Sequence, residues 1–319
     1  MLLVIVTTLF VITIALFGAG LFGQDVWFLD LWSHFQIQYT LVFAIFTTVF
    51  FFTRSHKRVV VALIFFLVCL SRILPYMGSN ESPILNAAEL SSEDRSTRVM
   101  FYNMYVVNTH YTEIANMVKE VRPDIVIFEE VEGVAYGDLV EELASDYPYS
   151  GYRKGPLDYF DIAYFSKIRP DGMKVHYLSD ERLPTIGLTF SAKGVAYHVI
   201  GVHTRAPTAG DRFLVRNEHL TALAELVKGI DGPVVVGGDF NISPWSGNWK
   251  DFILASGLKE ARMGATLGPS WPEWLPAFGR IPIDHILVSS SIGVDSIGIG
   301  NNSFSDHFSI FADLVIMSE

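Results

Sequence analysis

Polar residues that bind metals or transfer protons occur at six places in the chain, each beside a short apolar segment typical of a buried strand. In chain order they are Asn103, Glu130, His203, the pair Asp239 and Asn241, Asp284, and the pair Asp306 and His307. Carboxylate and amide oxygens suit hard divalent cations, and imidazole and carboxylate groups exchange protons near neutral pH. Rigid scaffolds often present catalytic groups on the segments that follow their strands. The set therefore predicts a catalytic site assembled from strand ends.

Each motif taken alone also has a structural explanation. Gly-Asp-Phe-Asn around Asp239 is a good turn sequence, because Gly, Asp and Asn dominate turns. The pair Asp306 and His307 suits a cap, Glu130 suits solvent, and His203 suits a hydrogen-bonded position at a strand end. Six such positions in succession are not expected from randomly placed polar residues, which favours the catalytic interpretation.

Strands and helices must alternate to position these residues. The predicted strands are 99–102, 125–128, 162–165, 186–190, 195–202, 234–236, 283–288 and 308–315. The predicted helices are 111–121, 137–145 and 212–228, from apolar residues at helical spacing. This alternation is typical of a layered α/β domain with mixed sheets.

Three uncharged or nearly uncharged segments precede that domain, at about residues 2–23, 35–53 and 59–77. At about 1.5 Å per residue, each can cross a hydrocarbon core of about 30 Å as a helix. A cleaved signal peptide is disfavoured, because the first segment has no basic start and two more follow. The sequence predicts a membrane anchor at 1–77, a linker at 78–97 and a catalytic domain at 98–319.

The charges between these segments predict their orientation. Arg54, Lys57 and Arg58 separate the second and third segments, whereas Asp25 and Asp30 separate the first and second. The positive-inside rule puts the basic loop and the N-terminus in the cytoplasm, and the catalytic domain outside it.

The anchor also explains an unusual composition. Hydrophobic residues make up 50% of the 319 residues, charged residues only 18%, and one cysteine excludes a disulfide scaffold. Removing the four basic and two acidic residues before Glu81 from totals of 23 and 34 leaves 19 and 32, a net charge of about −13. Such an acidic domain argues against tight, sequence-independent binding to long nucleic acid.

The ordered motifs NMY, PDIVIFEEV, GVHTRAP, GGDFNISPW, IPIDHILVS and FSDHF resemble the endonuclease/exonuclease/phosphatase family of metal-dependent phosphodiesterases and phosphatases. The resemblance runs from about Arg98 to Leu314. It implies an α/β fold in which two β-sheets form a sandwich flanked by helices, giving four layers, here preceded by three transmembrane helices. The three segments and the motif GPSWP at 268–272 further resemble a bacterial branch held in the inner membrane.

The resemblance implies a divalent cation, Mg²⁺ or Mn²⁺, bound by Glu130 with Asn103 nearby. Asp306 is the candidate for a second metal position. Tyr105 stands where some members have an aspartate, and this weakens the case for two metals. Glu129 stands where the family often has glutamine.

The resemblance also implies roles for the remaining motif residues. Asp239 would orient or deprotonate the attacking water, and Asn241 would hold the phosphate or the nucleophile. His307 would bind a phosphate oxygen as an imidazolium, with Asp284 fixing its tautomer and raising its pKa. His203 would donate to the phosphate from the opposite side.

Several further residues have two interpretations. Arg205 is either a phosphate or leaving-group contact or a surface residue, and His285 is expected to be structural. The loop tryptophans could stack on a base or sugar, enter lipid or pack at the rim of the core. They are Trp245, Trp249, Trp271 and Trp274.

The leading hypothesis is a membrane-anchored, metal-dependent hydrolase of phosphoester bonds. Its substrate could be nucleic acid, a lipid head group, as in a sphingomyelinase-type phosphodiesterase, or a small molecule. A non-catalytic interaction domain on the same fold is the alternative, and the presence of Glu130, Asp239 and His307 disfavours it. Oligomeric state stays open.

Overall fold

A computed structural model describes residues 1–78, 96–157, 159–192 and 194–317. The N-terminal part is helical, with α1 Leu2–Leu21, α2 Trp27–Asp30, a 3-10 turn Leu31–Phe35, α3 Gln36–Phe52, α4 His56–Ile73 and a 3-10 turn Leu74–Tyr76. Three of these stretches are long and apolar enough to cross a membrane, and they fall on the three predicted segments. The linker predicted for 78–97 lies for the most part outside the described residues.

Two six-stranded sheets form the rest of the molecule. The first has the order β11-β12-β1-β2-β4-β3 and the second β5-β6-β7-β8-β10-β9. The strands are β1 Thr97–Asn103, β2 Ile125–Glu129, β3 Tyr149–Arg153, β4 Ile162–Ser166, β5 Gly172–Leu178, β6 Leu183–Ala192, β7 Val195–His203, β8 Val234–Asp239, β9 Lys259–Glu260, β10 Asp284–Val288, β11 Ile292–Ile299 and β12 Ile310–Ile316. Both sheets mix parallel and antiparallel neighbours, as predicted.

Helices cover the outer face of each sheet. They are α5 Tyr111–Val121 and α6 Gly133–Leu143 on the first sheet, and α7 Gly210–Lys228 and α8 Gly247–Ser256 on the second. Between the sheets, side chains such as Val99, Ile127, Val199 and Ile286 form a fully buried core. The predicted two-sheet sandwich flanked by helices is confirmed.

Aromatic side chains hold the N-terminal helices together. Phe10 of α1 packs edge-on against Phe43, Phe46 and Phe50 of α3, with ring centroids 5.2–6.1 Å apart. A second cluster, made of Ile37, Ile73, Tyr76 and Trp245, joins the α3 and α4 ends to the sandwich. The helical part therefore packs against the sandwich through one end of its bundle.

Candidate active site

Strand register brings the predicted site residues together at one end of the sandwich. In the first sheet, Asn103 pairs with Glu129 across the parallel strands β1 and β2. In the second sheet, Asp239 lies between His203 on β7 and Asp284 on β10. Because the two sheets face each other, these residues line one cleft between the sheets.

Two backbone features shape the floor of this cleft. Gly238 has a φ of +135°, and a Cβ there would lie 2.0 Å from the Val202 carbonyl oxygen. Only glycine fits so close an approach between β7 and β8. Glu130, immediately after β2, has a φ of +58°, a left-handed conformation that turns its side chain out of the strand direction.

Glu130 lies at the centre of a small hydrogen-bonded group. Its Oε1 accepts from the Asn103 amide nitrogen at 3.0 Å, and its Oε2 accepts from the Val106 backbone nitrogen at 3.0 Å. The same Asn103 nitrogen lies 3.3 Å from Asp239 Oδ2. Asn103 thus presents a donor to both carboxylates, while its amide oxygen accepts from the Tyr105 backbone nitrogen at 3.1 Å.

Asp239 and Asn241 are locked to one another. Asp239 Oδ1 accepts from the Asn241 backbone nitrogen at 2.8 Å, and Oδ2 accepts from the Asn241 side chain at 3.0 Å. Burial, together with the negative charges of Asp284 and Glu130, raises the pKa of Asp239 well above that of an exposed aspartate. With its raised pKa, the Asp239 carboxylate is a stronger base than the carboxylate of an exposed aspartate.

His307 and Asp284 form a buried pair. His307 Nδ1 lies 3.0 Å from Asp284 Oδ2, and His307 Nε2 lies 3.8 Å from Asp239 Oδ2. Burial alone would lower the pKa of His307, but the carboxylates of Asp284 and Asp239 raise it to about 10. His307 is therefore an imidazolium whose free Nε2 side faces the cleft.

His203 closes the opposite side of the cleft. Its Nε2 is 3.7 Å from both Glu130 Oε1 and Asp239 Oδ2, and its ring stacks on Phe160 at a centroid distance of 4.5 Å. Burial lowers the pKa of His203 to about 3, with the His307 charge adding to the effect. His203 is a neutral ring, which can donate one hydrogen bond.

The cleft contains more carboxyl groups than cationic groups. Glu129, Glu130, Asp239 and Asp284 converge there, and His307 is the cation among them. Both carboxylate oxygens of Glu129 are buried without a hydrogen-bond partner among the described residues. This surplus of carboxylate oxygens fits a divalent cation, and Asp239, Asp284 and His307 lie within metal-binding distance of one another. As an imidazolium, His307 has no lone pair for a metal, so the carboxylates are the available ligands.

We expect Glu129→Gln to stabilise the metal-free protein. Burial, with the neighbouring Asp284, Asp239 and Glu130 charges, raises the pKa of Glu129 well above its ordinary 4.5. The folded state therefore keeps a proton that the unfolded state loses, and the wild type loses stability as pH rises above about 4.5. Glutamine does not titrate, so the stability advantage of Glu129→Gln over the wild type should grow between about pH 5 and pH 7.

Urea unfolding of the detergent-solubilised chain in EDTA at the two pH values measures this difference. The exposed Glu132→Gln is the matched control and should show no change with pH. A Glu129→Gln advantage that is the same at both pH values would show that Glu129 is ionised in the folded protein.

The structure places Asp306 and Arg205 at the cleft and adds two residues that the sequence did not indicate, Tyr159 and Phe160. Trp271 Nε1 donates to Asp306 Oδ2 at 3.0 Å, which places Asp306 at the cleft wall. Arg205 donates to the Tyr159 hydroxyl at 2.5 Å and lies 5.5 Å from the Phe160 ring, with little exposed surface. Tyr159 and Phe160 precede β4 in a loop without any sequence signal beyond their aromatic character.

The tryptophans predicted to lie in loops differ in their surroundings, and Trp249 lies in α8. Trp249 is buried in the core against His285, whose Nε2 bonds to the Ile242 carbonyl at 2.7 Å. His285 is thus a structural residue. Trp245 is buried against α4, and Trp274 is 66% exposed.

Comparison with known proteins gives one family. Residues 100–307 match the Endonuclease/Exonuclease/phosphatase family. No sequence among the curated proteins matches this chain.

Solved structures share the fold at low sequence identity. An endonuclease/exonuclease/phosphatase from Bacteroides vulgatus is 18% identical with a TM-score of 0.58, over 69% of this chain and 99% of that one. A family protein from Bacteroides thetaiotaomicron is 21% identical with a TM-score of 0.56, over 71% and 97%. Sphingomyelinase C from Streptomyces griseocarneus is 15% identical with a TM-score of 0.52, over 68% and 99%.

Proposed function

Because the chain belongs to the endonuclease/exonuclease/phosphatase family, we propose that it is a membrane-anchored, divalent-metal-dependent hydrolase of phosphoester bonds. Members of this family are generally hydrolases acting on phosphoesters. The observation that carries the proposal is the convergence of Asn103, Glu130, His203, Asp239 and His307 on one cleft. A non-catalytic domain would have no need of a buried, strained and like-charged cluster.

Glu130 is the proposed ligand of a divalent cation, Mg²⁺ or Mn²⁺, with Asn103 beside it and Asp306 as a candidate for a second position. When bound, the cation supplies Lewis-acid stabilisation of negative charge on a phosphoryl oxygen. Asn103 presents its amide nitrogen to Glu130, so its proposed contribution is to orient that carboxylate. This role keeps Glu130 fixed without competing for the cation.

Asp239 is the proposed general base. Its raised pKa favours proton transfer from water, and its two bonds from Asn241 fix the direction of its lone pairs. Asn241 is the proposed positioning residue for Asp239 and the phosphate.

His307, His203 and Arg205 are the proposed phosphate contacts. The imidazolium of His307 can donate through Nε2 to a non-bridging oxygen, while Asp284 holds the Nδ1 proton. Neutral His203 donates from the other wall, and Arg205 adds a positive charge near the cleft mouth. These groups stabilise charge that develops during P–O cleavage.

Metal removal tests the proposal. The full chain in detergent, treated with EDTA, should lose activity on bis-p-nitrophenyl phosphate or p-nitrophenyl phosphate by about a hundredfold or more, because charge stabilisation by the metal is lost. Mg²⁺ or Mn²⁺ should restore it. Plasmid DNA and sphingomyelin complete the substrate panel. An undiminished rate in EDTA would refute metal dependence, and a lack of turnover on every substrate would refute the hydrolase function.

The proposed orientation puts the catalytic domain outside the cytoplasm. It rests on the basic loop of Arg54, Lys57 and Arg58 between the second and third candidate spans. Alkaline phosphatase fused to the C-terminus of the full chain in a bacterial host should be active, since that enzyme needs an oxidising compartment. An inactive fusion beside an active cytoplasmic β-galactosidase fusion would reverse the orientation.

A further inference from the structure

The cavity over the catalytic cluster has walls from both parts of the chain. It encloses about 570 Å³, and Glu130, Asp239 and His307 lie at its base. Leu31 and His34, from the 3-10 turn that leads into α3, form part of its wall. The N-terminal helical part therefore contributes directly to the space in which a substrate would bind.

Buried polar contacts fix this turn to the sandwich. Asp30 Oδ2 lies 2.8 Å from Arg216 Nη2, and Asp30 Oδ1 accepts from the Ser246 hydroxyl at 2.6 Å. His34 Nδ1 accepts from the Ser243 backbone nitrogen at 3.1 Å. Asp30 and Arg216 are both fully buried, so the turn is a permanent wall of the cavity.

A loop of the sandwich, residues 271–281, forms the neighbouring wall. Trp271 and Ile281 pair at its base and line the cavity. Further along the loop, the carbonyls of Phe278 and Arg280 each accept from Gln38 Nε2 at 3.0 Å. Gln38 lies in the first turn of α3, so the loop contacts the helical part at the start of α3, within the candidate membrane span Trp27–Phe52.

Large apolar side chains are exposed along the same edge. Trp274 is 66% and Phe278 62% exposed on the loop, and Phe28 is 53% exposed beside the turn. Tryptophan and other aromatic residues concentrate at the interface between hydrocarbon and water, and contiguous exposed apolar surface marks an interaction site. This edge is continuous with the first turn of α3, and the occupant that such a surface fits is the interface of the bilayer.

We infer that the substrate is a phosphoester carried by a membrane lipid, whose head group enters the cavity between the 3-10 turn and the 271–281 loop. This inference rests on the proposed function. The apolar part of the lipid would stay in the bilayer against Trp274, Phe278 and Phe28. Arg205 and Arg212 also line the cavity. Arg205 already pairs with Glu181 at 3.3 Å, and Arg212 supplies positive charge for an anionic head group.

The same geometry argues against long nucleic acid. The catalytic cavity opens beside a membrane surface, and the part of the chain from Glu81 onward has 19 basic and 32 acidic residues, a net charge of about −13. A duplex would have to approach an acidic domain along a face that the bilayer occupies. A single lipid, by contrast, reaches the cavity by diffusion within the membrane.

The test compares a lipid with a soluble substrate in one preparation. The full chain is placed in nanodiscs of phosphatidylethanolamine and phosphatidylglycerol, with sphingomyelin in a second set, and head-group release is followed by mass spectrometry. The double variant Trp274→Ser with Phe278→Ser should lower lipid turnover about tenfold or more, because two apolar contacts with the bilayer are lost. Hydrolysis of bis-p-nitrophenyl phosphate should change by less than about twofold.

Tyr177→Ser is the matched control, since Tyr177 is 46% exposed on the edge strand β5 and makes no contact with the cavity. It should change neither rate. A parallel fall in both rates, or unaltered lipid turnover in the double variant, would overturn the inference. Cleavage of plasmid DNA without consumption of any lipid would also overturn it, while the proposed function would stand. Failure on bis-p-nitrophenyl phosphate as well would refute the proposed function itself.

A fluorescent label gives a readout independent of activity. The chain has one cysteine, Cys69, which is buried, so Phe278→Cys offers a single accessible thiol. An environment-sensitive dye there should be blue-shifted in nanodiscs and quenched by doxyl-labelled lipids, whereas the same dye on Tyr177→Cys should not. A water-like spectrum at position 278 would overturn the inference.

Discussion

Asp239→Asn should lower kcat on a phosphodiester by about a thousandfold, since a positioned general base contributes about 10² to 10⁴. Asparagine has nearly the same shape and retains an oxygen for the Asn241 backbone nitrogen, which lies 2.8 Å from Asp239 Oδ1. It cannot accept a proton from water. The loss should therefore appear in kcat, with a smaller change in KM.

The same substitution should change how stability depends on pH. Asp239 is buried beside Asp284 and Glu130, and its pKa is raised. A raised pKa in the folded state means that the ionised carboxylate destabilises the fold as pH rises above the ordinary aspartate range. Asparagine also places an amide nitrogen against the Asn241 and Asn103 side-chain donors that now bond to Oδ2, which is a loss at every pH. Because asparagine does not titrate, the melting temperature of Asp239→Asn in EDTA should gain on that of the wild type as pH rises from about 5 to about 7.

Asp146→Asn, in an exposed turn, is the control and should alter neither property. A variant of Asp239 that keeps more than about a tenth of the wild-type kcat would remove Asp239 from the role of base. A melting-temperature difference from the wild type that is the same at both pH values would show that the pKa of Asp239 is not raised in the folded protein.

Much of the candidate site is predictable because strand ends carry it. A buried strand has a strong apolar pattern, so the polar residue that follows it stands out, as Glu130 does after β2 and Asp239 at the end of β8. Pairing of neighbouring strands then brings such residues together without further information. The local hydrophobic pattern and the sheet topology agree at these positions, so the sequence is enough to predict that these residues lie close together.

Strands with a weak hydrophobic alternation are not predicted from the sequence. Strand β5 is half exposed and β3 contains glycine and charge, so neither has a clear alternation. Strand β11 has a bulge between Val294 and Ser296, which breaks its period. Helix α8 had usable signals, because the Ser246 side chain caps its start and Gly257 ends it in a left-handed conformation.

Long-range partners leave no local signal. Asp30 lies in a short loop between apolar segments, and the sequence indicates only an acidic interface there. Its partner Arg216 is 186 positions later, in the middle of α7. Tertiary packing alone brings Asp30 and Arg216 together. The same packing places Leu31 and His34 in the wall of the cavity.

Breaking the Asp30–Arg216 pair should separate the two parts of the molecule. Asp30→Asn leaves a buried guanidinium without a counter-charge, and burial already lowers the pKa of Arg216. Removing one partner of a buried pair costs about 3–5 kcal/mol. A protease site inserted between residues 78 and 97 makes the effect visible: after cleavage in detergent, the wild-type halves should co-elute and the Asp30→Asn halves should not.

Replacing both partners distinguishes the loss of the ion-pair attraction from the cost of leaving Arg216 buried without a counter-charge. Asp30→Leu with Arg216→Met removes the pair and leaves no buried ion, so the cleaved halves should associate more tightly than with either single change. Glu225→Gln, which breaks the exposed pair with Lys228, is the control and should leave the halves together. Wild-type halves that separate on cleavage would show that the interface is weak, and the proposed lipid-binding role of the cavity wall at Leu31 and His34 would lose its support. Halves that stay associated in Asp30→Asn would show that the apolar cluster of Ile37, Ile73 and Trp245 stabilises the interface instead. Burial of that cluster would then be enough to keep the sandwich attached to the N-terminal helices.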